Sequence, residues 1–270
     1  MRTEFGTPIK YSLELGEDWI QVNELIGTRV KLSFVGYQCL NCGSARKTYR
    51  MGHCYECFFK MPQTADWIIK PELSTAHLDI EHRDLEFEKG VQLSPHIVYL
   101  ALSSNVKVGV TRKTQVPTRW IDQGASSALE IIEAPNRYLA GIGEVALKAF
   151  VADKTNWRKM LKNEIEQEDL FEFRDKLSQY IPKEVKPFFL SENKIKWDLD
   201  FPVQRYPEKV KSLNLSKTPV FEQRLVGIKG QYLLFDDDTV FNVRGNEGTV
   251  VELAFTKTGF ENNQQQSITF

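Results

Sequence analysis

All four cysteines of this 270-residue chain fall between positions 39 and 57, as Cys39-x2-Cys42 and Cys54-x2-Cys57 with eleven residues between the pairs. Each Cys-x2-Cys turn points two thiolates at one centre, and two such turns complete the tetrahedral sulfur shell that Zn²⁺ prefers. Gly43 after the first pair and Gly52 before the second give the backbone freedom that such tight turns need. Four thiolates close the shell, so the metal is expected to be structural. A redox pair or an iron–sulfur cluster is the alternative occupant of the same quartet, and His53 is the rival ligand, read otherwise as a surface imidazole. Cysteines confined to one segment do not make the disulfide framework of a secreted scaffold.

A chain that is 41% hydrophobic and 26% charged can fill two or three packed units and is too apolar to be disordered. It has no run of about 18 apolar residues, and Met1 to Lys10 holds no apolar stretch of signal-peptide length. The expectation is a cytoplasmic protein without a membrane partner. The net charge of -1 conceals two basic segments, residues 31–60 and 96–160, each with a balance of +4 in an otherwise acidic chain. Local basic segments suit a polyanion such as DNA or RNA, although solvated helix faces give the same count. Arg46 and Lys47 inside the cysteine loop, with Arg112 and Lys113 in the second segment, are the candidate nucleic-acid contacts; Arg50 also lies in that loop.

The pattern along the chain predicts an α+β protein. Residues 1–37 alternate apolar and polar positions (Ile9, Tyr11, Leu13, Leu15; Val30, Leu32, Phe34) as half-buried strands do. Residues 38–95 hold the zinc element and a loop-dominated stretch. Residues 96–160 form the core. HIVYLAL and VKVGVTR read as a hairpin joined at Ser103-Ser104-Asn105, a helix starts near Pro117, ALEIIEA is a third strand, and Asn136 caps a second helix with a stripe of Leu139, Ile142, Ala146 and Phe150. Residues 161–214 read as a helical, proline-containing connector, and 215–260 as a small β unit with RLVGIKGQYLLF, TVFNVR and TVVELAF as strand runs. The strands of 1–37 are placed to complete that unit, and 261–270 reads as a flexible tail. Asp236 to Asp238 read as a hairpin turn.

The β-β-α-β-α order of the core resembles the GIY-YIG nuclease superfamily. Tyr99 in Ile97-Val98-Tyr99 matches the first tyrosine strand, Lys107-Val108-Gly109 the second, Arg119 the helix arginine, Glu144 the glutamate of the second helix, and Asn156 the asparagine twelve positions later. Lys107 stands where the superfamily has its second tyrosine. The chain is also similar to an uncharacterised bacterial family that joins a Cys-x2-Cys zinc element to this core, with segments like KVGVTR, PTRWIDQGA and DKTNWRKML. Many of its members carry a second cysteine cluster; this chain has Thr64, Trp67, Ser74 and His82 at those places.

The resemblance implies a zinc-stabilised endonuclease that hydrolyses phosphodiester bonds. Glu144 would hold Mg²⁺ or Mn²⁺, Arg119 would clamp phosphate oxygens, Tyr99 would orient or deprotonate the attacking water, and Asn156 would hold the glutamate or the second strand by hydrogen bonds. Lys107 can contact phosphate or act as a base if its pKa is depressed. Plainer roles stay open: Glu144 and Lys148 as an exposed i,i+4 pair, Tyr99 as a core aromatic, Arg119 paired with Asp122, and Trp120 and Trp157 as packing residues. The rival functions are a catalytically inactive nucleic-acid-binding protein and a zinc-held protein-interaction adaptor.

Overall fold

The computed structural model describes residues 1–15, 18–151, 156–256 and 265–269, and the chain divides into two compact units. Residues 1–59 and 200–270 form the first, and residues 60–199 form the second.

The chain opens with β1 (Arg2–Glu4), β2 (Lys10–Leu15) and β3 (Asp18–Gln21), an antiparallel three-stranded sheet. Ile9, Tyr11 and Leu13 are buried on every second position, which is the half-buried period legible in the sequence. Then come β4 (Arg29–Tyr37) and, after the cysteine segment, α1 (Tyr55–Lys60). The second unit runs through α2 (Leu85–Gln92), β5 (His96–Leu102), β6 (Val106–Arg112), α3 (Thr118–Asp122), β7 (Ser127–Ala134), α4 (Arg137–Lys148), α5 (Trp157–Leu161), α6 (Leu170–Leu177) and β8 (Lys196–Asp198). The chain returns to the first unit with β9 (Lys211–Ser212), β10 (Val220–Lys229), β11 (Tyr232–Phe235), β12 (Thr239–Asn242), β13 (Thr249–Thr256) and β14 (Gln265–Thr269).

In the first unit β4 lies between β13 and β10, with Leu32 opposite both Leu253 and Phe221. Amino-terminal and carboxy-terminal strands therefore share one seven-stranded sheet, ordered β14-β13-β4-β10-β11-β12-β9. RLVGIKGQYLLF is not one strand but a hairpin, because Gly230 turns at φ +61° between β10 and β11. Part of the expected tail is also a strand: Gln265–Thr269 pairs antiparallel with β13 and covers its open edge, while residues 257–264 lie outside the described residues.

The second unit carries a four-stranded antiparallel sheet, ordered β6-β5-β7-β8. Val98, Leu100, Leu129 and Ile131 bury one face against α4 and α6 through Leu147, Leu170 and Leu177. Each such side chain contributes about 1.5–3 kcal/mol on leaving water. The segment 161–214 is not a free-standing connector, since α6 fills this core and β8 extends its sheet. The loop-dominated stretch before β5 holds 3-10 turns and one helix that the sequence reading missed, α2, capped by Asp84 accepting from the Phe87 amide. No helix among the described residues is long and apolar enough to cross a membrane.

Candidate functional site

The cysteine quartet closes on itself. The four Sγ atoms all lie within 4.8 Å of one another, and Cys42 Sγ and Cys54 Sγ are 3.8 Å apart. Sulfurs about 2.3 Å from one tetrahedral ion stand at about that separation, so the four can bind a zinc ion. Gly43 and Gly52 both adopt positive φ, +69° and +70°. The first turn closes by Gly43 N–H donating to Cys39 O (2.9 Å), and the amide of Cys54 donates to Cys39 Sγ (3.2 Å). Burial pushes the Cys39 thiol up, but N–H donors of Cys42, Cys54 and Asn41 outweigh it and hold the group at about 6. Asn41 Nδ2 donates to Cys57 Sγ (3.3 Å) and favours its thiolate, yet burial and the neighbouring thiols push that group up to about 12. Such crowding is what a dication relieves. His53 is buried, not a surface residue, and its Nδ1 meets the Met51 carbonyl.

In the second unit, strand alternation turns Tyr99 away from the Val98 and Leu100 face. There its ring meets Trp120 at 5.7 Å, and Trp120 meets Trp197 at 5.7 Å, so Trp120 is a packing residue. The Tyr99 hydroxyl donates to Gln123 Oε1 (3.1 Å), a partner the sequence did not reveal. Gly109 leaves room for that phenol, because a Cβ there would stand 2.6 Å from Tyr99 Oη. Lys107, two residues along β6, is buried on the same face. Burial, with the Arg119 charge, lowers its pKa to about 8. Burial raises the phenol of Tyr99, while Arg119 and Gln123 pull it down and the Glu144 charge pushes it up again. Tyr99, Lys107 and Arg119 thus form one group, and among the described residues neither cation has an ion pair.

Glu144 comes from α4, whose Gly143 packs on Val98 and Ile132, so this helix lies on the other face of the sheet from Tyr99. Its charge acts on the phenol, but its contact is Lys148 Nζ, 3.3 Å from Oε2. The pair expected at i,i+4 exists, with the carboxylate buried and not exposed. Oε2 is out of hydrogen-bond geometry with every donor, as is the buried Oε2 of Glu72. Burial raises the Glu144 pKa, Lys148 and Arg137 lower it, and Glu72 raises it. Neither Glu72 nor Arg137 was singled out from the sequence. Arg137 donates to the carbonyls of Trp67 (3.1 Å) and Ile68 (2.7 Å), which ties the segment carrying Glu72 to α4.

The remaining candidates stand elsewhere. Asn156 Oδ1 accepts from the Lys159 amide and caps α5, so its side chain is engaged by the helix rather than by Glu144. Arg46 pairs with Glu56 (3.1 Å) and Lys113 with Glu133 (2.6 Å), both exposed, while Lys47 is exposed and Arg112 half-buried. Thr64 accepts from Arg83 (2.9 Å), His82 Nε2 meets Leu73 O (3.1 Å), and Trp67 and Ser74 are buried. Among the described residues the cysteine quartet is the one cluster of metal-ligand type. The model of a family described as "Protein of unknown function (DUF2797)" matches residues 27–251. No curated protein and no solved structure matches.

Proposed function

We propose, for a chain that belongs to the DUF2797 family, metal-dependent hydrolysis of phosphodiester bonds in DNA or RNA by a core like that of the GIY-YIG nucleases, with structural zinc on Cys39, Cys42, Cys54 and Cys57. The observation that carries the reading is the grouping of Tyr99, Lys107 and Arg119 on the Gly109 face of the sheet, with Glu144 on the α4 side acting on the phenol through its charge and not by contact. Arg119, a cation without a carboxylate partner, suits a bound phosphate diester, whose oxygens its fork can clamp.

The proton chemistry then falls to Lys107. The Tyr99 hydroxyl donates to Gln123 and its phenol is held above the usual range, so it orients the water and does not deprotonate it. Lys107, at about 8, has a neutral fraction near physiological pH and can take the proton. The hard oxygen donors of Glu144 and Glu72 fit Mg²⁺ or Mn²⁺: Glu72 Oε2 is buried outside any hydrogen bond, and Glu144 Oε2 would exchange its Lys148 ion pair for the cation. A cation bound there would stabilise charge on the phosphate and leaving oxygen.

Purified protein incubated with Mg²⁺ or Mn²⁺ and mixed nucleic acids should cleave, at a rate that rises as pH passes through about 8. Glu144→Ala and Lys107→Met should lose cleavage, and Tyr99→Phe should lose less. Absence of cleavage with every metal, or undiminished cleavage by Glu144→Ala, overturns the reading. A second reading, nucleic-acid binding without turnover, is favoured by Lys107 at the tyrosine position and by Asn156 being engaged in a helix cap. It predicts salt-dependent binding with no cleavage.

A further inference from the structure

We infer that the first unit binds a segment of single-stranded nucleic acid in a groove beside the cysteine cluster. The groove holds about 590 Å³, within the range of built ligand sites. One wall is the loop between the two cysteine pairs, with Lys47, Tyr49 and Arg50; the other brings Asn214 and Arg244. Three cations line it against a single acid, Glu247. Among the described residues no carboxylate pairs with Lys47 or Arg50.

A second observation lies beside it on the same loop and α1. Tyr49, Tyr55 and Phe59 form a cluster with ring centroids 4.8 to 5.9 Å apart, yet they are 45%, 63% and 50% exposed. Rings left in water next to cations are the parts of a base-stacking platform. Bases within a duplex are already stacked on each other, so the platform selects an unpaired strand. Tyr55 and Phe59 do not line the groove, so the contact surface extends past one nucleotide.

The cysteine cluster shapes this site. Gln38 N–H donates to Gly248 O (2.8 Å), which ties the chain beside Cys39 to the turn before β13, and Leu40 N–H donates to Gly52 O (2.9 Å), which closes the cysteine segment on itself. A Cβ at Gly248 would stand 2.5 Å from Thr48 Cγ2 and 2.8 Å from Gly52 O. A metal held by the quartet would fix both ends of the loop and with them the groove wall.

This inference does not rest on the hydrolysis proposed for the core, and either can fail alone. Fluorescence anisotropy of a labelled single-stranded 12-mer with the full chain tests it. The double variant Lys47→Ala/Arg50→Ala should bind at least tenfold more weakly with unchanged thermal unfolding. In the parent protein the 12-mer should also shield Lys47 from acetylation, a readout that needs no variant. Equal binding by the double variant, equal binding of a duplex of the same sequence, full competition by a mononucleotide at equal concentration, or no shielding of Lys47 overturns it.

Discussion

An ammonium buried without a counter-charge works against folding, and Lys107 is such a group, 8% exposed with Arg119 as the charge acting on it. Its pKa falls from 10.5 to about 8, a penalty of about 3 kcal/mol at about 1.4 kcal/mol per unit. The penalty is full below pH 8, where both folded and unfolded chains carry the proton. It fades between 8 and 10.5, where the folded chain releases its proton first, so stability rises with pH across that window. Lys107→Met should therefore stabilise the protein by about 2–3 kcal/mol at pH 7, and by progressively less toward pH 10.5; denaturant unfolding at the two pH values measures this. A destabilised variant would mean that Lys107 has a partner. Gly109→Ala should act oppositely. The new methyl would meet the buried Tyr99 Oη at 2.6 Å and Cζ at 2.8 Å, and overpacking of that kind costs about 1–3 kcal/mol. A neutral result in the same assay would show the phenol free to move. At this scale the sequence revealed the types, Tyr99, Lys107 and Gly109, but not Gln123, because a hydrogen bond across 24 positions leaves no local periodicity.

Among the elements, α4 shows most clearly what a pattern can and cannot announce. Asn136 was readable as its cap and does accept from the Leu139 amide (2.9 Å). Of the apolar stripe, Leu139 and Ile142 do pack half-buried against the core and Phe150 is exposed, while the fully buried positions are Arg137, Ala140, Gly141, Gly143, Glu144 and Leu147. The helix is covered on two sides, by the sheet at Gly143 and by the 3-10 turn Pro71–Leu73 at Gly141, so its buried arc includes polar residues that hydropathy places outside. Phe150 lies past the helix end and stacks on Tyr180 at 3.6 Å. Gly141 fixes a sign. Alanine is worth about 1 kcal/mol over glycine in a helix interior, but a Cβ here would stand 2.4 Å from Glu72 N and 2.6 Å from Pro71 C. Those are backbone atoms that cannot rotate away. Gly141→Ala should lower the melting temperature instead of raising it, and a stabilised variant would show that the turn is not held against the helix. The same variant should displace Glu72, and with it any divalent cation that Glu144 holds.

Over the whole molecule, the cysteine pair spacing and the alternation of the terminal strands were legible because each depends on neighbours in sequence. The sharing of one sheet by β4, β10 and β13 was only suggested, since pairing across about 190 to 230 positions is decided by which edges the rest of the fold leaves open. Charge is the property that spans both units. Residues 31–60 and 96–160 each carry +4, and each contains one of the two candidate phosphate-binding groups, Lys47 with Arg50 and Lys107 with Arg119. Counterion release measures how many phosphates the groove of the first unit neutralises, because single-strand affinity falls with salt at a slope of about 0.7 per phosphate neutralised. A strand held by about three contacts in the groove gives a slope near -2. Lys47→Ala/Arg50→Ala should flatten the slope by about 1.4, and removal of a metal held by the quartet with a chelator should do at least as much, since the loop carrying both residues runs between Cys42 and Cys54. Binding that ignores salt between 50 and 300 mM would place the contact with nucleic acid on neither basic segment, and the +4 balances would then be no more than solvated surface.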